Sequence, residues 1–273
     1  MIRDITLGQY YNKKSLIHEL DPRVKLVATF IFLISLFIST NVYAYIIATT
    51  FLIIAIILCK VPFSFIIKGL RSLLLLLLIS IIFNMFLTPG ETIWSFSIFK
   101  ISREGLIIAI KMAIRLIYLV IGSSILTLTT TPSSLTNGLE KGLSFLNAFK
   151  VPVAEVALMM SIALRFIPIL IEETEKIMNA QMARGADFDK GNIIEKAKSL
   201  VPLLVPLFVS AFRRANELAI AMEARCYSSE IKRTKLSPLT YKAVDYKAYF
   251  VLFIYLILIF VTRYIKIDSI LNV

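Results

Sequence analysis

The sequence lacks the residue patterns that most enzymes and nucleotide-binding proteins use. None of its nine glycines is followed by lysine, which excludes a phosphate-binding loop of the Walker A type. The single histidine, His18, has no histidine or cysteine partner at a metal-ligand spacing. No acidic cluster resembles the paired aspartates that hold a magnesium diphosphate, and no nucleophile stands with a base. We therefore expect a non-enzymatic chain that binds no metal and no cofactor of its own.

Cysteines and targeting signals are also scarce. Cys59 and Cys226 are too few for a disulfide framework, and both fall on the predicted cytoplasmic side, so we expect free thiols. The first 25 residues are polar and charged, with no apolar core followed by a cleavage site. We therefore expect no removable signal peptide, and the first apolar segment should remain in the protein.

Apolar residues are abundant instead, at 58% of the 273 residues, and the mean hydropathy is +0.81. This composition is typical of a membrane protein with several spans. The net charge of +12 is better explained by lysine and arginine in cytoplasmic loops, close to anionic lipid, than by a nucleic-acid partner. We therefore expect the lipid bilayer, and no nucleic acid, as a partner.

Apolar runs predict about five transmembrane helices. Residues 26–59 carry no charge and would form a helix of about 50 Å, longer than the ~30 Å hydrocarbon core. We expect a hairpin of two short helices that turns near Asn41, with a partly re-entrant first element as the alternative. Further spans are predicted at 72–90, 105–128 and 248–262. The fold class is therefore an all-α polytopic membrane protein.

The distribution of basic residues predicts the orientation. Segments 1–25 and 60–71 hold eight lysines and arginines, whereas the opposite segments 41–44, 89–104 and 263–273 hold four. The positive-inside rule then places the N-terminus in the cytoplasm and the C-terminus outside. We divide the chain into an N-terminal membrane domain (1–128), a cytoplasmic or interfacial coupling domain (129–247), and a last span with the external end (248–273).

Two basic residues lie inside the predicted span 105–128. Lys111 and Arg115 are one helical turn apart on one face. A charge within a span is a candidate functional site, although a lysine near a membrane edge also snorkels to the surface. Both interpretations stay open for Lys111, and for Arg115 we expect a buried structural or partner role.

Residues 129–247 are rich in proline and in basic residues. The segment 151–171 is apolar, but a span there would bury Glu155 and Arg165, and the apolar run 200–212 is too short to cross. We expect both to form helices along the membrane surface, as part of two long crossed helices.

A faint repeat marks these two helices. A shift of 41 residues places Ala183-Arg184-Gly185 on Ala224-Arg225-Cys226. Glycine after Arg184 predicts a helix end there, whereas Cys226 leaves the second cap undefined by the pattern. Each arginine is either a simple partner of the helix dipole or a plug for a groove on another protein. Two equivalent plugs would favour a partner with two equivalent grooves.

Charged residues of the two helices also correspond under this shift. Glu172, Glu173 and Glu175 fall on Arg213, Arg214 and Asn216. If the helices cross, opposite charges would face each other. The alternative is two separate solvated clusters.

At these residues the sequence resembles the transmembrane T component of energy-coupling factor transporters, which are ATP-binding-cassette importers. The two arginine tripeptides look like the family's paired signatures, with Cys226 departing from glycine. The segments 18–25 and 163–168 and the pair Arg213-Arg214 fit the same family. The resemblance covers nearly the whole chain.

The resemblance implies a scaffold in a prokaryotic cell membrane, joined to two cytoplasmic ATPase subunits and a membrane substrate-binding S component. The tripeptides would bind the ATPases, which we expect to be two different proteins because the two ends differ. ATP and magnesium would be bound by the ATPases, and this chain would couple ATP hydrolysis to uptake of a vitamin or metal ion. The residues with an implied structural or partner role are Arg165, Pro168, Glu172, Arg213, Arg214 and Arg115.

Two other functions are less consistent with the sequence. A self-contained secondary transporter would need broken helices or inverted repeats around a midplane site, and only Lys111 and Arg115 suggest one. An intramembrane lipid-modifying enzyme would need a cluster of acid, base or metal-binding residues, which the sequence does not provide.

Overall fold

A computed structural model describes residues 10–39, 41–71, 73–89, 92–96, 99–186, 188, 193–228 and 238–264. The first and last nine residues, to which the charge pattern assigns opposite sides of the membrane, lie outside the described residues. The elements in chain order are α1 (Leu16–Glu19), α2 (Pro22–Ile38), α3 (Val42–Cys59), α4 (Phe63–Arg71), α5 (Leu74–Leu87), β1 (Thr92–Phe96), β2 (Phe99–Ser102), α6 (Arg103–Thr129), α7 (Pro132–Gly142), a 3-10 helix (Ser144–Phe149), α8 (Val153–Ala183), α9 (Ile193–Ala224) and α10 (Ala243–Tyr264).

The chain forms two compact units. One comprises Gly8–Gly138 and Leu239–Val273 and is called the bundle unit below. The other comprises Met1–Leu7 and Leu139–Pro238 and is called the helix-pair unit. The three-part division by residue number stays a prediction.

The hairpin predicted for residues 26–59 is confirmed. Asp21 caps α2 by accepting a hydrogen bond from the backbone N–H of Arg23, and Pro22 occupies the first helical position, which suits its fixed φ. Asn41 stands at the N-cap of α3, where the sequence predicts the turn. The two helices have 17 and 18 residues, so the first is at the short limit for a span.

Among the described residues, four helices are long and apolar enough to cross a membrane, namely α3, α6, α8 and α10. The other apolar helices, α2 and α5, are shorter, with 17 and 14 residues. The architecture is that of an all-α polytopic membrane protein, with one added feature: β1 and β2 pair as an antiparallel hairpin within the predicted external loop.

The helix α8 meets the length and hydropathy of a span, although the sequence predicts that it lies along the surface. Glu155 lies in its first turn rather than within its apolar length, which removes one of the two objections to a span. Arg165 remains inside the helix. The placement of α8 at the membrane surface stays a prediction.

Aromatic rings form the centre of the bundle unit. The ring of Phe51 stacks on that of Tyr255 with centroids 4.5 Å apart, and Phe32 lies 5.8 Å from Phe51. The hydroxyls of Tyr255 and Ser35 are 2.6 Å apart, so α10 and α2 share a buried hydrogen bond. A Cβ on Gly122 of α6 would lie 2.9 Å from the Phe32 ring, and this close approach requires glycine.

A buried carboxylate joins the starts of α2 and α10. Asp245 is 1% exposed and accepts hydrogen bonds from the backbone N–H groups of Asp21 (2.8 Å) and Lys242 (2.7 Å). The guanidinium of Arg23 pairs with Asp21 at 2.8 Å and lies 3.9 Å over the ring of Tyr241. Burial opposes ionisation of Asp21, but the hydrogen bonds and charge of Arg23 together hold the pKa of this carboxyl below its usual range.

Removal of the Asp245 carboxylate should destabilise the bundle unit. Asp245→Ala leaves the N–H groups of Asp21 and Lys242 without their acceptor, at a cost of about 1–3 kcal/mol for each buried donor. Asp245→Asn keeps one acceptor oxygen and should cost less. We expect the thermal unfolding midpoint in detergent to be highest for the wild type, lower for Asp245→Asn and lowest for Asp245→Ala. The exposed-carboxylate control Glu217→Ala should match the wild type, and equal midpoints for Asp245→Ala and this control would contradict the assignment.

Candidate functional site

The C-terminal end of α8, which carries Arg184 and is called the first arginine end below, is a complete Schellman cap. The helix α8 ends at Ala183, and Arg184 follows as the half-helical C-cap residue. Gly185 has φ +89° and donates its N–H to the carbonyl of Met182, while Ala186 donates to the carbonyl of Gln181, both at 3.0 Å. These bonds satisfy carbonyls that a helix end would otherwise leave free. The helix end predicted at Gly185 is confirmed.

The second arginine end has the same cap without glycine. Cys226 has φ +55° and donates its N–H to the carbonyl of Glu223 at 2.8 Å. Tyr227 donates to the carbonyl of Met222 at 3.0 Å. Arg225 is therefore the C-cap residue of α9, as Arg184 is of α8, and the cap that the sequence left undefined is a Schellman cap. A non-glycine residue in this left-handed conformation costs about 1–2 kcal/mol.

The second helix begins earlier than the sequence predicts. A proline favours a helix start or a kink, so the sequence predicts that this helix begins at about Pro206. The helix α9 instead starts at Ile193 and runs for 32 residues with Pro202 and Pro206 inside it. The helix α8 likewise continues through Pro168 from Val153 to Ala183. Contacts along a long helix compensate for the backbone hydrogen bond that each proline removes. The apolar run 200–212 is therefore the middle of a long helix.

One ion pair lies where α8 and α9 meet. The carboxylate of Glu173 accepts hydrogen bonds from Ser210 and from the guanidinium of Arg214, whose closest N–O distance is 2.7 Å. The Gln181 amide lies 3.5 Å from the carbonyl of Pro202. The prediction that opposite charges of the two helices face each other is confirmed for this pair. From the first contact to the second, the residue number rises in α8 but falls in α9. The two helices therefore have an antiparallel component.

The contact also relates the two arginine ends. Glu173 and Arg214 are themselves 41 residues apart, the shift that superimposes the two tripeptides. Each C-cap arginine therefore lies 11 residues beyond the residue of its own helix in this pair, or about 16 Å along the axis. Because the helices run oppositely, the two ends point away from the crossing on opposite sides, about 33 Å apart along the axes if the helices are fully antiparallel. This is the arrangement of a local pseudo-two-fold axis.

The tripeptide side chains are open to a partner. Ala183, Arg184 and Gly185 are exposed, and so are Ala224, Arg225 and Cys226. A Cβ on Gly185 would meet no atom within 4 Å, so the space around this cap is empty as well. The arrangement can present two arginines, each at the tip of a rigid helix, to two separate grooves.

The remaining residues with a predicted role in this unit divide into two groups. Arg214 is half-buried in the pair with Glu173. The other group is exposed and consists of Arg165, Pro168, Glu172 and Arg213. Among the described residues, no hydrogen bond or ion pair is formed by the side chains of Arg165, Glu172 and Arg213. Their proposed contacts with partners stay predictions.

Arg115 has a structural role in the bundle unit. Its guanidinium donates to the carbonyl of Ser39 at 3.4 Å and to the hydroxyl of Tyr45 at 3.2 Å, and it lies 5.6 Å from the Phe37 ring. Arg115 of α6 therefore holds the turn between α2 and α3. Lys111 is half-buried, and its two interpretations remain open.

An apolar face of α9 is a feature that the sequence analysis missed. Large apolar side chains recur at helical spacing and are 52–70% exposed: Val201, Val205, Phe208 and Phe212. Residues spaced by three or four positions share one helix face. The spacing is visible in the sequence, but the prediction for 200–212 concerns only its length and its position along the membrane surface.

Comparisons with known proteins agree on one family. Residues 13–236 match the family described as cobalt transport protein. An energy-coupling factor transporter transmembrane protein of Ruminiclostridium cellulolyticum is 50% identical over 245 residues, which cover 90% of this chain and 92% of that protein. A protein of the same name from Clostridium kluyveri is 50% identical over 250 residues, covering 91% and 93%, and one from Bacillus subtilis is 46% identical over 246 residues, covering 90% and 93%.

Substitutions at the two cap positions should have opposite effects. Gly185→Ala forces a side chain into the left-handed region and should loosen the end of α8, whereas Cys226→Gly relieves that strain at the end of α9. With about 1 kcal/mol at each site, amide exchange in the last turn should be roughly fivefold faster for Gly185→Ala and slower for Cys226→Gly. Hydrogen-exchange mass spectrometry of the two segments measures both.

The matched control is Gly142→Ala, because an added Cβ there also meets no atom within 4 Å and its φ is not positive. This change should leave exchange in α8 and α9 unaltered. Slower exchange after Gly185→Ala would contradict the cap assignment.

Proposed function

The chain belongs to the family of energy-coupling factor transporter transmembrane proteins, and from this premise we propose that it transmits ATP-driven motion to a membrane substrate-binding subunit. It is an integral membrane component of a multi-subunit transporter. The further steps concern its partners: two cytoplasmic ATPase subunits bind the arginine ends, and an S component contacts the membrane-facing surface.

The single observation that carries this proposal is the pair of identical caps. Arg184 and Arg225 occupy the same position in the same cap geometry, and both are exposed. An arginine fork pairs with carboxylates in two parallel hydrogen bonds, so each end fits an acidic groove. Two ends on opposite sides of one crossing fit the two halves of an ATPase pair. When that pair closes, the ends are drawn together and the helices rotate about their crossing.

The residues flanking Arg184 and Arg225 favour two different ATPases. Gly185 corresponds to Cys226, and Ala186 corresponds to the larger Tyr227. Grooves that match both ends equally well would need to accept glycine and cysteine, and alanine and tyrosine, at equivalent positions. A heterodimer of related ATPases meets this requirement directly.

The exposed face of α9 is the proposed contact for the S component. Val201, Val205, Phe208 and Phe212 form an apolar stripe on a helix whose end carries Arg225. Rotation of α9 at the ATPase therefore moves this stripe as well. The S component would be tilted by that movement and would release its cargo, a vitamin or metal ion, into the cytoplasm. Because the cargo is bound by the S component, this chain does not select it.

Charge reversal at both arginine ends tests the coupling. We expect Arg184→Glu with Arg225→Glu to abolish co-purification of the ATPase subunits in mild detergent and to reduce uptake at least tenfold. Each single variant should weaken the complex less than the double variant. Lys198→Glu, which reverses an exposed charge on α9 away from its end, is the matched control and should retain both properties.

Two results would reject the proposal. Purification of the wild-type chain without any ATPase subunit would show that the proposed ATPase partners do not bind it. Normal uptake by the double variant would show that the arginine ends do not couple. Either result would favour the alternative function, a self-contained secondary transporter.

The predicted orientation has its own test at Cys226. This thiol is exposed, whereas Cys59 is buried with 1% exposure, so one cysteine dominates labelling. In cells that express the chain without the ATPases, a membrane-permeant maleimide should label Cys226, and an impermeant one should label it only after the cells are opened. Cys226→Ser should remove the signal. Labelling of intact cells by the impermeant reagent would reverse the assigned orientation.

A further inference from the structure

The bundle unit contains an open cavity of about 460 Å³ between α1, α2, α3, α6 and α10. This volume falls in the range of about 300–1,000 Å³ that small-molecule sites occupy. Its wall is almost entirely aliphatic and aromatic and includes Leu16, Leu20, Phe51 and Val251. Such a wall favours a hydrocarbon occupant.

Two lysines line the same cavity. Lys25 is 7% exposed, and its ammonium donates to the carbonyls of His18 at 3.0 Å and Thr129 at 2.9 Å. An ammonium has three donors, and within the described residues no carboxylate lies within 4 Å of this one. Lys247 is exposed and has no hydrogen-bond partner among the described residues. Both ammonium groups can therefore bind an anion.

The lysines lie at one end of the unit. Lys25 is in the first turn of α2 and Lys247 is in the second turn of α10, and the Asp21–Asp245 hydrogen bond holds the starts of these helices together. The cavity thus combines a basic end with an apolar wall, which is the polarity of a lipid headgroup and its acyl chain. We propose that it binds an anionic phospholipid, with an acyl chain in the cavity and the phosphate near Lys247 and Lys25.

Charge favours an anionic lipid over a zwitterionic one. The predicted orientation places this end at the cytoplasmic leaflet, where anionic lipids collect, and basic pockets between membrane helices bind their headgroups. A choline headgroup would bring a third cation next to the two lysines. Free inorganic phosphate could satisfy the lysines but would gain nothing from the apolar wall. Of these three ligands, the anionic lipid matches both the basic end and the apolar wall.

Native mass spectrometry of the full-length chain, purified in detergent with its co-purifying subunits and stripped of lipid, tests the site. We expect phosphatidylglycerol to bind about fivefold more tightly than phosphatidylcholine with the same acyl chains. Lys247→Gln should remove most of this preference. Lys242→Gln, an exposed lysine near the same helix start that does not line the cavity, should preserve it.

The acyl chain is tested separately from the headgroup. Ala28→Leu and Ala55→Leu each add bulk to the cavity wall, so each should weaken both lipids without changing their ratio. Two variants are used so that one which lowers the thermal unfolding midpoint can be set aside.

Three results would overturn the proposal. Equal affinity for the two lipids, or an equal loss after Lys247→Gln and Lys242→Gln, would exclude a specific anionic headgroup site. Displacement of the lipid by millimolar inorganic phosphate would indicate a phosphate site alone. Lipid binding that is unaffected by both leucine variants would leave the cavity to another occupant, such as a protein segment.

Discussion

The contact of Glu173 with Ser210 and Arg214 sets the geometry on which both arginine ends depend. The side chains of Glu173 and Arg214 are 23% and 37% exposed, so water screens the ion pair between them. The ion pair alone therefore contributes at most about 1 kcal/mol to stability. Its importance is positional. Helices of 31 and 32 residues are stiff, and a contact in the interior of both determines where ends 11 residues away can lie.

The arginines owe their presentation to the backbone rather than to their own side-chain contacts. In each cap a residue with positive φ follows the arginine and turns the chain, and two N–H groups close the last carbonyls. Glycine does this without strain at Gly185. At Cys226 the same turn carries a conformational cost, which the surrounding hydrogen bonds offset. Two different residues therefore yield one geometry, as the proposed pair of equivalent docking points requires.

Polar clamps organise the bundle unit in an otherwise apolar setting. Arg115 holds the α2–α3 turn, Asp245 joins two helix starts, and Ser35 meets Tyr255. Apolar packing is nearly non-directional, so hydrogen bonds of this kind specify which helix faces meet. The hydrogen bond between Asp21 and Asp245 also holds Lys25 and Lys247 at one end of the same cavity.

Local features of the sequence were sufficient for much of this structure. Uncharged runs predicted the helices, Asn41 predicted the turn of the first hairpin, and Gly185 predicted a helix end. Each depends on residues that are close in the chain, where helical periodicity and backbone preference act directly. The 41-residue repeat likewise pointed to the pairing of Glu173 with Arg214, because related helices that cross bring equivalent residues together.

Only the tertiary structure decided the features that depend on distant or unfavourable residues. The partners of Arg115 lie 70 and 76 residues away, and no local pattern identifies them. The cap at Cys226 opposes that residue's own preference, so it forms because the chain around it requires the turn. Pro206 predicts a helix start, but α9 continues through it and through Pro202, as α8 continues through Pro168. In each case the summed contacts of the folded chain outweigh a local preference of a few kcal/mol, which is a balance that the sequence does not display.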